Sequence, residues 1–136
     1  MKRNVLCAVG VAAAWLALSG SAWAHHGDAD RYDENVIVVT GTLVELHMVN
    51  PHSLIVFDVT DETGNTVRWQ AELGSAQQLM QSGWTKNTVK FGDKITVTGR
   101  RVKTGAPYLN LTMRAKILLT DSGKEIFHTN RGGPAA

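Results

Sequence analysis

The sequence predicts an all-β domain with one short helix, folded as a five-stranded OB-fold-like Greek-key barrel. Three observations lead there. Five runs rich in alternating apolar and polar residues are separated by turn signals, and the only helical candidate lies between the third and fourth of them. Glycines sit inside the first and fourth runs, where a small barrel needs its strands to bend. A small open sandwich of the same strands is the competing architecture.

The 136 residues suit one domain, but the first 24 read as an export leader outside it. Lys2 and Arg3 form a basic start, Val5 to Leu18 is an apolar run, and Ala22-Trp23-Ala24 has the small-x-small form that signal peptidase accepts. Residues 1–24 are therefore expected to be a signal peptide cleaved after Ala24, which makes the protein periplasmic. The apolar run is shorter than the roughly 20 residues that span a bilayer, so no membrane association is expected after cleavage. Cleavage removes Lys2 and Arg3, so Lys+Arg falls from 14 to 12 against 12 Asp+Glu and the formal net charge becomes zero. A neutral exported domain lacks both the charge and the compartment for nucleic acid, which excludes that partner class. Cys7 also leaves with the leader, so the remaining chain has no thiol for a disulfide, a metal or a nucleophile.

Residues 25–35 are polar, acidic and without period, as expected of an extended N-terminal arm in which Tyr32 is the apolar anchor. The barrel is expected over residues 36–128. Strand one runs from about Val36 to Val49, with Val44, Leu46 and Met48 on one face and Glu45 and His47 on the other, and with Gly41 as its bend. Asn50-Pro51 interrupts it, because proline brings no backbone donor. Strand two is Leu54 to Thr60, and Asp61 to Asn65 turns the chain into strand three, Thr66 to Leu73. Between Gly74 and Gly83 lies the helix, with Ser75 as its N-cap and Gly83 at its C-terminal end. Gly92-Asp93 opens strand four, Lys94 to Val102, which Gly99 bends. Strand five is expected to carry Leu109, Leu111, Met113, Ala115 and Ile117 on one continuous face, followed by a turn and a short strand over Lys124 to Phe127. Residues 129–136 are expected to be a flexible tail.

The chemistry is concentrated in histidine. With cleavage after Ala24, His25 gains a free α-amine beside its own imidazole; such an amine has a pKa near 7.7 to 8.0, so a metal ion can displace its proton at neutral pH. His26, His47 and His52 are the further candidate metal ligands, and Glu45, two residues before His47, is placed to accept from a bound ring. Imidazoles with an amine are ligands that copper(II) favours, so copper is the expected ion. No His-x-His, H-E-x-x-H or cysteine pair supports the set, and each histidine is also compatible with a solvated surface position. His128, near the tail, stands apart from the group. Trp69 belongs among core residues by its alternation, whereas Trp84 and Tyr108, at loop edges, are candidates for ligand contact. Arg100, Arg101, Lys103 and Arg114 form a basic group by sequence. With no glycine-rich phosphate loop and no nucleophile elbow, the expectation is a non-catalytic binding or accessory protein without organic cofactor. The alternative is a metal-free interaction module that holds a protein, glycan or small ligand on the barrel.

Several segments together resemble a family of small exported bacterial proteins catalogued as a domain of unknown function. They are Ala24 before His25-His26, Tyr32-Asp33, Gly41-Thr42-Leu43-Val44, Asn50-Pro51-His52-Ser53, Trp69 with Glu72, Gly83-Trp84-Thr85, and the run from Gly92 to Gly99. The resemblance covers nearly all of the chain after the leader and implies a periplasmic OB-like barrel. It implies no activity, cofactor or partner.

Overall fold

The strand with the most demanding task is β1, Tyr32–His47, because it closes the barrel by pairing with two different neighbours. In the computed structural model, which describes residues 30–129, the first part of β1 runs antiparallel to β4 (Lys94–Val102) and its last part runs antiparallel to β2 (Leu54–Thr60). The change of partner falls at Gly41 and Thr42; Thr42 stands opposite both Lys94 and Asp58. From β2 the sheet continues through β3 (Thr66–Glu72), then β5 (Tyr108–Asn110) parallel to it, then back to β4. The order β1-β2-β3-β5-β4, closed by β1–β4, is the five-stranded OB-like barrel. β6 (Ala115–Leu119) and β7 (Lys124–Thr129) extend it beyond β4 as an antiparallel hairpin.

Two inward-facing glycines let the strands approach. A Cβ on Gly41 would lie 2.6 Å from the Asp58 carbonyl oxygen and 2.8 Å from Phe57 Cδ2. A Cβ on Gly99 would lie 2.4 Å from Leu111 Cδ2. Phe57 and Leu111, both fully buried, occupy the space that the missing side chains leave, the small-against-large alternation by which a narrow barrel is filled. Around them Leu43, Ile55, Ala71, Leu73, Ile95, Val97, Leu109 and Ile117 make one continuous core.

A bulge modifies the period expected for β1. Between Leu43 and Glu45 the register against β2 slips, leaving Val44 as the extra residue. Before the bulge the odd positions Val39 and Leu43 are buried; after it the even positions Leu46 and Met48 pack against the core. β1 also begins four residues earlier than the expected boundary at Val36. Tyr32, expected within the arm, is buried at the start of the strand, with the Arg100 guanidinium 5.6 Å from its ring centre. Residues 1–24, expected as a leader, His25 and His26 of the expected arm, and the expected tail from 130 lie outside the described residues.

Strand five differs from the single run that its apolar alternation predicts. Buried Asn110 accepts through Oδ1 from the Thr112 amide at 3.0 Å and the Thr112 hydroxyl at 2.6 Å. This local bonding competes with a ladder. The chain then passes through Arg114 at φ 49 before β6 starts. The split gives β4 two successive partners: β5 at Arg100 and Arg101, then β6 from Thr98 to Ile95.

The helix α1, Ala76–Gln81, is bounded by strong local signals. Ser75 accepts from the Gln78 amide while the Gln78 side chain accepts from the Ser75 amide, a reciprocal capping box. At the other end Gly83, at φ 90, donates to Met80 O and Trp84 donates to Leu79 O, the paired bonds of a Schellman motif. Buried Leu79 and Trp84 supply the apolar contact that accompanies it.

On the barrel's outer surface Arg68 donates to both carboxylate oxygens of Asp58, its cross-strand partner, at 2.9 and 3.0 Å. This fork holds the Asp58 carboxyl below its ordinary value. A carboxylate depressed in the folded state stabilises it above the unfolded pKa of about 3.9, and that contribution is lost as pH falls through the lower folded value. Asp58→Asn is expected to flatten the acid limb of the stability profile, measured as urea midpoints from about pH 6 down to about pH 2.

Candidate functional site

The Asn50-Pro51 break is fixed to the barrel by the residue that ends it. Fully buried Ser53 donates its amide to Gly74 O at 2.9 Å, accepts from the Leu73 amide at 2.9 Å, and donates its hydroxyl to Val49 O at 3.2 Å. The Asn50-Pro51 peptide is cis. His52, next to this anchor, is thereby held at the end of β3.

There it meets a carboxylate that is itself held. His52 Nδ1 lies 3.2 Å from Glu72 Oε1, and the Tyr108 hydroxyl donates to Glu72 Oε2 at 2.5 Å. Sheet register makes this possible: Glu72 stands opposite Leu54 on β2 and beside Asn110 on β5, so the ends of β2, β3 and β5 converge on one carboxylate. The Glu72 side chain is only 19% exposed, against 54% for His52. A carboxylate beside Nδ1 favours the tautomer with its proton there and its lone pair on Nε2, a tautomer common among metal-binding histidines.

His47 is paired differently. A hydrogen bond of 2.6 Å joins its Nε2 to Glu45 Oε2, with both side chains about half exposed, as their shared face on β1 suggested. This bond occupies Nε2 and leaves Nδ1 as the outward nitrogen. Among the described residues no three His, Cys, Asp or Glu side chains gather into a group that could hold a metal ion. His47 and His52 thus form no ready-made centre with a nearby acid, and His25 and His26 lie outside the described residues.

A cavity of about 720 Å³ opens beside His52, between α1 and β7. Its apolar floor includes Leu79, Trp84, Leu111 and Phe127; polar side chains include Gln78 and His128. Trp84, in the loop after α1 as expected, is buried at 4% exposure. It donates its indole N–H to Ile126 O at 2.7 Å and meets Phe127 edge to face. It lines the cavity beside Leu79, Leu111 and Phe127. Tyr108 is bonded to Glu72. Trp69 packs partly against the core and carries Arg101 over its ring, 4.9 Å from the centre.

The basic group of the sequence is dispersed by local bonding. Arg101 donates to Ala106 O and Gly105 O, Arg114 donates to Glu34 O, and Arg100 is buried over Tyr32. Three of its guanidinium groups are thus engaged in holding turns and strand ends.

Glu72 is the residue the histidine pattern alone did not single out. It stands 20 positions from His52 and 36 from Tyr108 in sequence, and only strand register joins the three.

The chain belongs to a family of unknown function (DUF6152), whose model matches residues 13–108. The matched span contains His52, Glu72 and Tyr108 and ends before β6 and β7. No curated protein and no solved structure matches the chain.

Proposed function

We propose that this member of a family of unknown function is a periplasmic, non-catalytic binding or accessory protein that takes up copper, with His52 as the barrel's ligand. The observation that carries the reading is that His52 Nδ1 lies 3.2 Å from the carboxylate of Glu72, which the Tyr108 hydroxyl holds, so that Nε2 is the ring's candidate donor. Copper(II) heads the affinity order for imidazole ligands among divalent first-row ions. His25 and His26 remain ligand candidates on chemical grounds of their own. A chain that starts at His25 offers an amine and an imidazole from one residue, a chelate that needs no barrel. His47 is a candidate through Nδ1.

Calorimetric titration with Cu²⁺ tests the two sources separately. The chain starting at His25 is compared with one carrying His25→Ala and His26→Ala with an acetylated terminus, and with His52→Ala in each background. His52→Ala is expected to weaken copper binding in the background that lacks the terminal chelate by about tenfold or more. Equal affinity with and without His52 in that background rejects the barrel ligand.

The 720 Å³ cavity with its apolar floor favours one further reading, a metal-free module holding a small ligand, a glycan or a protein segment. On that reading, binding of the partner persists in the presence of a chelator.

A further inference from the structure

The last strand, β7, pairs with β6 on one side, and among the described residues no strand lies on its other side. The alternation of backbone groups along a ladder shows which of them this leaves over. Thr120 donates its amide to Lys94 O, so Leu118 and Lys116, in the same register on β6, also turn their backbone groups to β4. Ile117 and Ala115 therefore turn theirs to β7, where their partners are Phe127 and Thr129. His128, between these two, turns its amide and carbonyl to the open edge. Such an edge is a template for another strand.

The open edge is also a wall of the cavity beside α1. Successive side chains of a strand point to opposite faces, yet every β7 residue from Glu125 to Thr129 lines that cavity. A space that meets both faces of a strand runs along its edge. The other wall is formed by Gln78 and Leu79 of α1 and by Ser82 just after it. A sheet edge that opens on such a trough is where an extended peptide adds as a further strand.

The two faces of β7 specify the strand that fits. Phe127 lines the cavity with Leu79, Trp84 and Leu111, so the incoming residues on either side of the one opposite His128 meet an apolar floor. The residue opposite His128 shares the face of His128 instead. There the register slip between Ile117↔Phe127 and Leu118↔Glu125, with Ile126 as the extra residue, brings Glu125 to the side of His128, whose Nδ1 lies 2.9 Å from Glu125 Oε1. The cavity lining includes Glu125 and neither lysine nor arginine. Lys116, opposite His128 on β6, is two strand spacings, about 10 Å, from an added strand, a separation at which salt screens exposed charges. A basic side chain at the central position is therefore the complement of this face.

We infer that the open edge of β7 captures an extended polypeptide segment of apolar-basic-apolar pattern, which adds antiparallel to His128 in the trough against α1. The inference rests on the metal-free reading given above and names its partner; it requires neither copper nor a ring nitrogen. In antiparallel addition the basic residue exchanges both backbone hydrogen bonds with His128.

The test titrates the isotope-labelled chain starting at His25, with a chelator present, with the blocked peptide acetyl-Thr-Val-Lys-Val-Thr-amide, and follows amide and indole resonances by nuclear magnetic resonance. The largest shifts are expected at the β7 amides and the Trp84 indole. Methylation of the peptide's lysine amide nitrogen, which removes a backbone donor and keeps every side chain, is expected to weaken binding by about fivefold or more. Exchange of that lysine for glutamate is expected to weaken it by about threefold or more. His128→Pro removes the edge amide without removing a bond to β6 and is expected to abolish binding, whereas His128→Ala keeps that amide and is expected to bind as the parent does. Circular dichroism confirms the β-sheet spectrum of each variant. Shifts in the trough with equal affinity for the methylated and unmethylated peptides overturn strand addition and leave the metal-free reading standing. No shift with any of these peptides at millimolar concentration overturns the inference together with the protein-segment form of that reading.

Discussion

Gly41→Ala is expected to destabilise the barrel by about 1–3 kcal/mol, toward the upper end of what overpacking costs in a filled interior. The added methyl group would meet the Asp58 carbonyl oxygen at 2.6 Å and the Phe57 ring at 2.8 Å. A flexible side-chain tip could turn aside, but a carbonyl in the β1–β2 ladder cannot move without disturbing the register beside it, and Phe57 is fully buried in a close-packed interior. The strain falls where β1 changes partner from β4 to β2, so relief through sliding would open the barrel. Thermal unfolding followed by circular dichroism measures the effect, and a loss of about 4–8 °C per kcal/mol is expected for a domain of this size. An unchanged melting temperature would mean that β1 and β2 approach less closely than the structure has them.

Glu72→Ala is expected to weaken copper binding by about 10–100-fold, although its carboxylate is not proposed to touch the ion. Two consequences follow from removing it. The His52 ring loses the carboxylate beside Nδ1 that favours the proton there, and the Tyr108 hydroxyl loses its acceptor. Tyr108→Phe isolates the second consequence and is expected to have a smaller effect, because Glu72 stays beside His52. Calorimetric titration with Cu²⁺, with melting temperatures taken alongside, separates a change in the site from a change in the fold. A Glu72→Ala chain that is less stable but binds copper as before would make Glu72 a packing residue only.

Much of the fold was legible because local chemistry and tertiary structure agree. β2 spans Leu54–Thr60 as its composition predicts, Ser75 and Gly83 bound the helix, and Gly41 and Gly99 mark close approaches. The bulges were not legible. Val44 and Ile126 each shift a strand's faces by one residue, and nothing in an apolar residue announces that it will be the extra one. Asn110 hid the break in strand five for a similar reason: its apolar neighbours keep the alternation while its side chain ends the ladder.

The site was legible in part. His52 stood out beside the Asn-Pro break, and the pairing of Glu45 with His47 follows from their shared strand face. Glu72 needed three strands in register before it could be joined to Tyr108 and His52, and the companionship of Glu125 and His128 needed a bulge. Trp84 lies at the loop edge expected, but its burial was not legible, because it takes a Schellman turn to carry the residue after glycine back against the helix.

The central claim is that the barrel itself binds copper through His52. Pulsed electron paramagnetic resonance of Cu²⁺ bound to the chain with His25→Ala, His26→Ala and an acetylated terminus tests it most directly, because the remote nitrogen of a coordinated imidazole modulates the copper signal. The account predicts that this modulation is present and that His52→Ala diminishes or abolishes it. A copper signal identical with and without His52 would contradict it.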